Sequence, residues 1–595
     1  MIPALRALVA AVALALAAPL AWGQTTATVN TPPGSIWTYL GPTFGADWVF
    51  PPPAGGALTP QTHGCIGDGV TDDTLCMQNA INAATAQGVA LRVDDGYHKY
   101  KITASLTATS GILDLEGTNG NQGAYNDPGC TSGFVSGFDG DLLKITIPVY
   151  TVRRICFQMA PVPGGRHGGL AISVGTASSS MGGGVIEYNS IVNPYEGIGL
   201  ASDAAGTQKV CQNTYILYNT VYNPLNIGIV LGRNSVNDGC GDTTMIANFV
   251  SCNRPAVANA TGINAWDGDV HYEGGQSGPL KCRVGFKISP GVSNSLVGQN
   301  FNGQFSGVLG DSSGTLGGSN IHDFWITTGS PSSVVGFVEL SNAWASGGTI
   351  PNGDVPVLIE NPGGGVVTDI LINGLTARTA GTSTIMQVNG NVLNLTLNGS
   401  RLCAWNNGAV TNGLVLNFAG NIINEGHYVI TGNQIGACED YSGAAMTNGI
   451  VINPNGGTGN SNNWIVITGN DLSSTTNPIV YPPAAQLSTN NDVIIQNNLG
   501  VDDTNPAITS ASTMALPHDG RTNYIVVGGT NIDRITGGTW LNRPLRIAAA
   551  TNPVVFNANA GGAGVNCLFT PVTIPVGAVG SFYWNNAGSC WAHVQ

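Results

Sequence analysis

Asp267, Asp269, His271 and Glu273 occupy every second position of one short segment, Ala265-Trp266-Asp267-Gly268-Asp269-Val270-His271-Tyr272-Glu273. In an extended strand successive side chains point to opposite faces, so this spacing predicts all four on one face. That face is expected to meet water, because four ionisable groups in a dry core would be costly. A second acidic cluster, Asn237-Asp238-Gly239-Cys240-Gly241-Asp242, precedes it, with Asp242 standing 25 residues before Asp267. Two carboxyl groups side by side can break a glycosidic bond: one protonates the leaving oxygen while the other attacks the sugar or activates water. Asp242, Asp267, Asp269 and Glu273 are therefore the candidate catalytic acids, and His271 is the residue expected to orient or titrate with them.

Two other readings of these acids are a calcium site, since oxygen ligands suit a hard cation, and a plain solvated surface. Hydrolysis requires no cofactor, so calcium is the one ion to consider. Trp266 and Tyr272 are the candidate sugar-stacking residues, with core packing as the alternative role. Lys281 and Arg283 follow closely and are candidate substrate-binding residues. With His271 or Tyr272 they also offer the parts for β-elimination, in which a cation neutralises a uronate carboxylate and a base removes the neighbouring proton. Basic residues are scarce and form no dense stripe, which favours hydrolysis.

Net charge is −14, or −15 once Arg6 leaves with an export signal. Nucleic acid and anionic membrane surfaces need a basic face, so this balance argues against both as partners. Charged residues are only 9% of the chain, against about 25% in ordinary soluble domains. Hydrophobic residues reach 42%, enough to build a core and to argue against disorder. Short Val/Ile runs among Gly, Asn, Thr and Ser indicate strands joined by tight turns. Arg6, the apolar run 7–20 and the small residues Ala21 and Gly23 form the pattern of a cleaved export signal, with the mature chain starting near Gln24. That run is shorter than the roughly 20 residues of a membrane span. All twelve cysteines lie beyond it, an even number that points to disulfides in an exported protein. Short separations make Cys65/Cys76, Cys130/Cys156 and Cys567/Cys590 the first pairs to expect, and the lack of any C-x-x-C pair argues against zinc.

These side chains need elements to hold them. His63-Gly64-Cys65-Ile66 through Asp73 is turn-rich, and beyond it Met77, Ala80, Ile81 and Ala84 fall at i, i+3, i+4 and i+7. A helix is predicted over 74–86, capped by Thr71 or Asp72 and stopped by Gly88, with a strand at 89–93. From about 105 to 505 short strands recur, each ending in an Asn or Gly-Asn bend. Val185-Ile186-Glu187-Tyr188-Asn189 is echoed by Tyr215-Ile216-Leu217-Tyr218-Asn219, Tyr428-Val429-Ile430-Thr431-Gly432-Asn433, Trp464-Ile465-Val466-Ile467-Thr468-Gly469-Asn470 and Asp492-Val493-Ile494-Ile495-Gln496-Asn497. Spacings of 30 residues from Asn189 to Asn219 and 37 from Asn433 to Asn470 suit a solenoid and are too irregular for propeller blades. Asn tolerates left-handed backbone geometry and can bond along a stack of turns.

Gly67-Asp68-Gly69-Val70-Thr71-Asp72-Asp73, followed by Gln78, Ala80, Ile81 and Ala84, resembles the N-terminal signature of the pectate-lyase-like superfamily. The resemblance covers about 40 residues, 63–103, and implies an all-β, right-handed parallel β-helix whose open N-terminal end is covered by the helix. It also implies a polysaccharide substrate, since that group includes polygalacturonases, other glycanases, polysaccharide lyases and phage tailspike depolymerases. The acids are similar to the adjacent-coil aspartates of polygalacturonase-like hydrolases, but the paired Asp-Asp and the Gly-His-Gly of those enzymes are missing. Asp72 and Asp73 are read as caps, not as a catalytic pair.

The expected organisation is a signal peptide at 1–23, an extended segment at 24–55, the β-helix at 56–510 and a small β-rich domain at 511–595. The last is similar to C-terminal modules of tailspike-like proteins, which often trimerise, so a homotrimer is one expectation and a monomeric end cap the other. The expected function is a secreted glycoside hydrolase acting on a polysaccharide. A polysaccharide lyase is the first alternative. A non-catalytic glycan-binding or tailspike-like surface protein is the second, because fold alone does not confer activity.

Overall fold

The computed structural model describes three short strands before residue 57 and most of 57–594. The longer undescribed loops are 119–128, 160–167, 253–259, 291–299, 312–320, 347–354, 419–425, 438–444, 454–462, 481–491, 537–543 and 559–566, and shorter ones include 235–239 and 275–277. The export signal expected at 1–23, and Asp238, lie outside the described residues.

Leu143–Ile145, Tyr150–Arg153 and Cys156–Met159 show the repeating unit. Three strands are separated by sharp corners, and each pairs in parallel with its counterparts one coil before and one coil after. Stacking equivalent strands makes three long parallel sheets. Among the described residues the first has 13 strands, from Leu106–Ala108 to Thr475–Val480, and the second has 15, from Leu91–Arg92 to Asp492–Gln496. The third runs from Asp68–Asp72 to Pro279–Leu280 and resumes, past a single bridge from Leu280 to Asp311, as five strands from Leu309–Gly310 to Gln434–Ala437. The chain is an all-β parallel β-helix.

Alternation along each strand sends one set of side chains inward, where they stack rung upon rung. In the first sheet Ile172, Ile198, Ile229, Ile263, Phe286 and Phe324 succeed one another in register and belong to one continuous core. The rings of Phe286 and Phe324 lie 5.1 Å apart and nearly parallel.

The corner between the second and third sheets is held by buried asparagines. Asn219 Nδ2 donates to Ile186 O at 2.8 Å and to Asn248 Oδ1 at 3.1 Å, and the same Oδ1 accepts the Asn219 backbone N–H at 3.0 Å. Asn189 repeats these bonds to Val152 O and Asn219, and Asn433, Asn470 and Asn498 form a second ladder farther along. The inward Asn is not the residue in left-handed geometry. Its predecessor is: Tyr188, Tyr218, Ala247, Gly432 and Gly469 have φ between 48° and 68°. At the next corner Asn193 and Asn223 do take that geometry themselves.

The N-terminal helix spans Thr74–Gln87, one residue longer than expected, and buries Met77, Ala80, Ile81 and Ala84. Asp72 Oδ1 accepts the Thr74 N–H at 3.0 Å, while buried Asp73 accepts those of Ile66 and Gly67 at 2.8 and 3.0 Å. Both acids are thus occupied in shaping the turn. Disulfides join Cys65–Cys76, Cys130–Cys156 and Cys567–Cys590, as expected from their separations. Cys211–Cys240 and Cys252–Cys282 tie neighbouring coils, and Cys403 is bonded too.

Ahead of the solenoid, Thr28–Asn30, Ile36–Tyr39 and Trp48–Val49 pair antiparallel in a separate unit ending at Ala57. At the C-terminal end, parallel strands Ala507–Thr509, Asn523–Val527 and Leu545–Ala549 give way to the antiparallel pair Val579–Asn585 and Cys590–Val594. These strands have their own core around Tyr524, Phe556, Phe582 and Trp591.

The asparagine ladder yields a test. Asn219→Ala strands the Asn189 N–H and Ile186 O in a buried corner, at about 1–3 kcal/mol for each unsatisfied group. Urea unfolding should show a loss of about 2–5 kcal/mol. A loss too small to measure would mean that the corners are held by something else.

Candidate active site

Gly268–Glu273 is a strand of the second sheet, flanked by Thr243–Ile246 on one coil and Asn300–Ser306 on the next. Gly268 opens it at φ 110°, where a Cβ would fall 1.5 Å from the Cys240 carbonyl oxygen, so only glycine lets the strand start against the preceding coil. Beyond it the alternation holds: Val270 and Tyr272 point into the core, while Asp269, His271 and Glu273 face water. Asn302 Nδ2 donates to Asp269 Oδ1 at 2.9 Å. His271 Nδ1 lies 3.0 Å from Gln304 Oε1, an acceptor, so Nδ1 donates and the ring is held from that side. Thr243 pairs with Val270, and exposed Asp242 stands one residue before that strand starts, at a corner with φ 52° on the adjacent coil. Neighbouring strands lie about 4.7–4.9 Å apart. Asp269 and His271 share the exposed face of this strand, and Asp242 stands at a corner of the adjacent coil.

The other candidates are placed elsewhere. Asp267 does not share the exposed face: it is 1% exposed, in the corner before the strand, where it fills the space beside Gly232. Period-two counting cannot be carried back past Gly268, because the strand begins there. Tyr272 cannot stack on a sugar, being 1% exposed and packed against Phe286 and Phe305. Its hydroxyl donates to Asn248 O at 2.7 Å, and burial pushes the phenol well above its ordinary pKa. Glu273 faces out, but it is four residues from Asp269, about 13 Å along the strand, too far to act on the same bond. Trp266 packs against Leu170, Ile227 and Val230 on the outer side of the first sheet. Lys281 sits at a corner with φ 57°, and Arg283 leads into Val284–Ile288 of the first sheet, so neither cation lies on the acidic strand. Among the described residues, the one set of three potential metal ligands within 4.8 Å of one another is Cys65, Asp73 and Cys76, and both thiols are spent in a disulfide.

Register extends the site along the solenoid. Asn302 pairs with Phe337, and the same outward position is filled on successive coils by Asp369, Asn394, His427 and Trp464. Asn394 Nδ2 donates to Asp369 Oδ1 at 2.7 Å. The His427 and Trp464 rings stack 6.1 Å apart, and Trp464 is 47% exposed. From Asp269 to Trp464 is six coil steps, about 29 Å at the usual strand spacing. In the neighbouring row Gln304 is followed by Glu339. None of these residues was a candidate on sequence grounds. The signal was present, since His427 and Trp464 each stand just before a recurring apolar strand, and superposing the repeats would have aligned them.

No protein-family model and no curated protein matches the chain. Among solved structures it is similar to the Dettilon tailspike protein gp208, with 13% identity and a TM-score of 0.39 over 88% of this chain and 76% of that one. The A-module of the mannuronan C-5 epimerase AlgE4 of Azotobacter vinelandii matches at 12% identity and TM-score 0.38, over 69% of this chain and 99% of the other. The catalytic unit of a GH87 α-1,3-glucanase from Streptomyces thermodiastaticus matches at 12% and 0.32, over 69% and 70%. Likenesses this distant assign no activity.

The inward placement of Tyr272 is testable. Tyr272→Phe leaves Asn248 O unsatisfied and should lower the melting temperature by an amount worth about 1–3 kcal/mol, with turnover and KM unchanged. A raised KM at unaltered melting temperature would return Tyr272 to the site.

Proposed function

We propose that this chain is a carbohydrate-active enzyme that hydrolyses a polysaccharide on the outer face of its second sheet. The observation that carries this reading is the exposed row that starts at Asp269, one coil from exposed Asp242, and from which polar and aromatic side chains continue to Trp464. A long ligand fits a solenoid face, where equivalent positions repeat at each coil. The aromatic end offers ring faces for sugars, and the acidic end offers the two carboxyl groups that glycosidic cleavage requires.

The reaction proposed is that of a retaining enzyme, whose two carboxyl groups stand about 5–5.5 Å apart. Asp269, oriented by Asn302, is the nucleophile that attacks the anomeric carbon. Asp242 gives its proton to the leaving oxygen, then takes one from the water that releases the sugar. His271, held by Gln304, stands two residues from Asp269 and positions that face. The enzyme works outside the cytoplasm, where disulfides such as Cys211–Cys240 persist. Among the described residues no helix is long and apolar enough to cross a membrane.

A reducing-end assay over a panel of polysaccharides, with ultraviolet absorbance read in parallel, tests this. New reducing ends without unsaturated products are expected. Asp269→Asn and Asp242→Asn should each lower kcat about 10²–10⁴-fold at unchanged melting temperature. Unsaturated ends would assign β-elimination instead. No cleavage across the panel, or near-full activity in both variants, would overturn the proposal.

A further inference from the structure

The outer face of the first sheet carries a second cluster that hydrolysis does not use. In-register pairing sets Val230, Asn264, Lys287 and Trp325 in one outward row on four successive coils. Lys287 Nζ lies 4.3 Å from the centre of the Trp325 ring, and Trp325 Nε1 donates to Glu360 Oε1 at 3.0 Å. Buried His322 begins the same strand, with its ring 5.3 Å from that of Trp325 and Nδ1 bonded to the Val355 carbonyl at 2.7 Å. A carbonyl only accepts, so Nδ1 carries the proton and Nε2 is an acceptor.

The charges here are poorly solvated. Burial pulls the Lys287 ammonium below the usual lysine range; Glu360 opposes the shift and Arg283 adds to it by like-charge repulsion. Burial likewise holds His322 down to about 4, with the charges of Arg283 and Lys287 acting in the same direction and the Val355 carbonyl opposing. Asp323, on the strand of His322 and Trp325, is buried with its Cβ beside Gly310. A chain with 20 Lys and Arg against 34 Asp and Glu has thus set two cations on one partly buried face.

Two polar atoms in the same place have no hydrogen-bond partner. Asn264, 4% exposed and directly beside Lys287 in the row, has an unbonded Oδ1, and Trp266, two residues on, has an unbonded buried Nε1. Native proteins seldom leave such atoms orphaned, and a ligand that accepts from one and donates to the other explains both.

We propose that this face is a second glycan site, which binds a carboxylate-bearing sugar. Lys287 and Arg283 hold the carboxylate, while Asn264 Oδ1 and Trp266 Nε1 exchange hydrogen bonds with ring hydroxyls. Glu360 fixes the Trp325 indole against which Lys287 rests. The site lies on a different sheet from Asp242 and Asp269 and stands whether or not those residues hydrolyse anything.

Isothermal titration of the full chain with tetragalacturonate, tetramannuronate and cellotetraose tests it. At least one uronate should bind tenfold or more tighter than cellotetraose, and Asp269→Asn should bind it as the parent does. Lys287→Met keeps the stem over Trp325 without the charge and should erase most of that tenfold preference. Arg283→Gln should do the same, which keeps the test open if Lys287→Met fails to fold. The proposal is overturned if neither uronate is preferred, if folded variants keep the preference, if Asp269→Asn loses it, or if acetate at equal concentration displaces the sugar.

Discussion

The structure depends on keeping each coil in register with the next, and the buried asparagine ladders enforce that register. Each inward Asn satisfies a carbonyl one coil back, and within a ladder its side-chain oxygen receives two N–H groups from the Asn behind it, as Asn248 does from Asn219. A coil that slipped by one residue would leave these groups unpaired in a dry corner and would turn every outward side chain inward. The same bonds force the preceding residue into left-handed geometry, which accounts for Gly432 and Gly469 and for the exposed, mutually stacked Tyr188 and Tyr218.

Strict register is also what makes surfaces of this fold useful. A side chain that faces out on one coil has its counterpart about 4.8 Å away on the next, so binding features come as rows along the solenoid. On the second sheet such a row runs from Asp269 to Trp464 through amides and rings. On the first sheet another brings Asn264, Lys287 and Trp325 together. One is acid-rich and exposed, the other cationic and partly buried, so the two faces differ in the charge they present.

Much of the fold was legible in the chain, because strands, bends and the capping helix each have local signatures. Met77, Ala80, Ile81 and Ala84 fell on the helix's buried side as their spacing required. Cys65, Cys130 and Cys567 found the partners their short separations suggested. Cys211–Cys240 and Cys252–Cys282 could have been found by noting separations of 29 and 30 residues, one coil each. The site was less legible. Alternation placed Asp269, His271 and Glu273 correctly, but nothing local marks where a strand starts, so Asp267 was counted onto a face it does not share. Tyr272 shows the same difficulty in reverse, since being next to outward residues is what points it inward. The rows lay hidden because loop lengths vary between coils, so equivalent positions recur at 33, 35 or 37 residues and not at a fixed period.

The most direct test of the account is a crystal structure of the Asp269→Asn protein with a fragment of the polymer it cleaves. The fragment should lie along the second sheet's outer face, over the row toward Trp464, with one glycosidic oxygen within hydrogen-bonding reach of Asp242 and the anomeric carbon facing residue 269. A fragment bound with no sugar near residues 242 and 269 would contradict it.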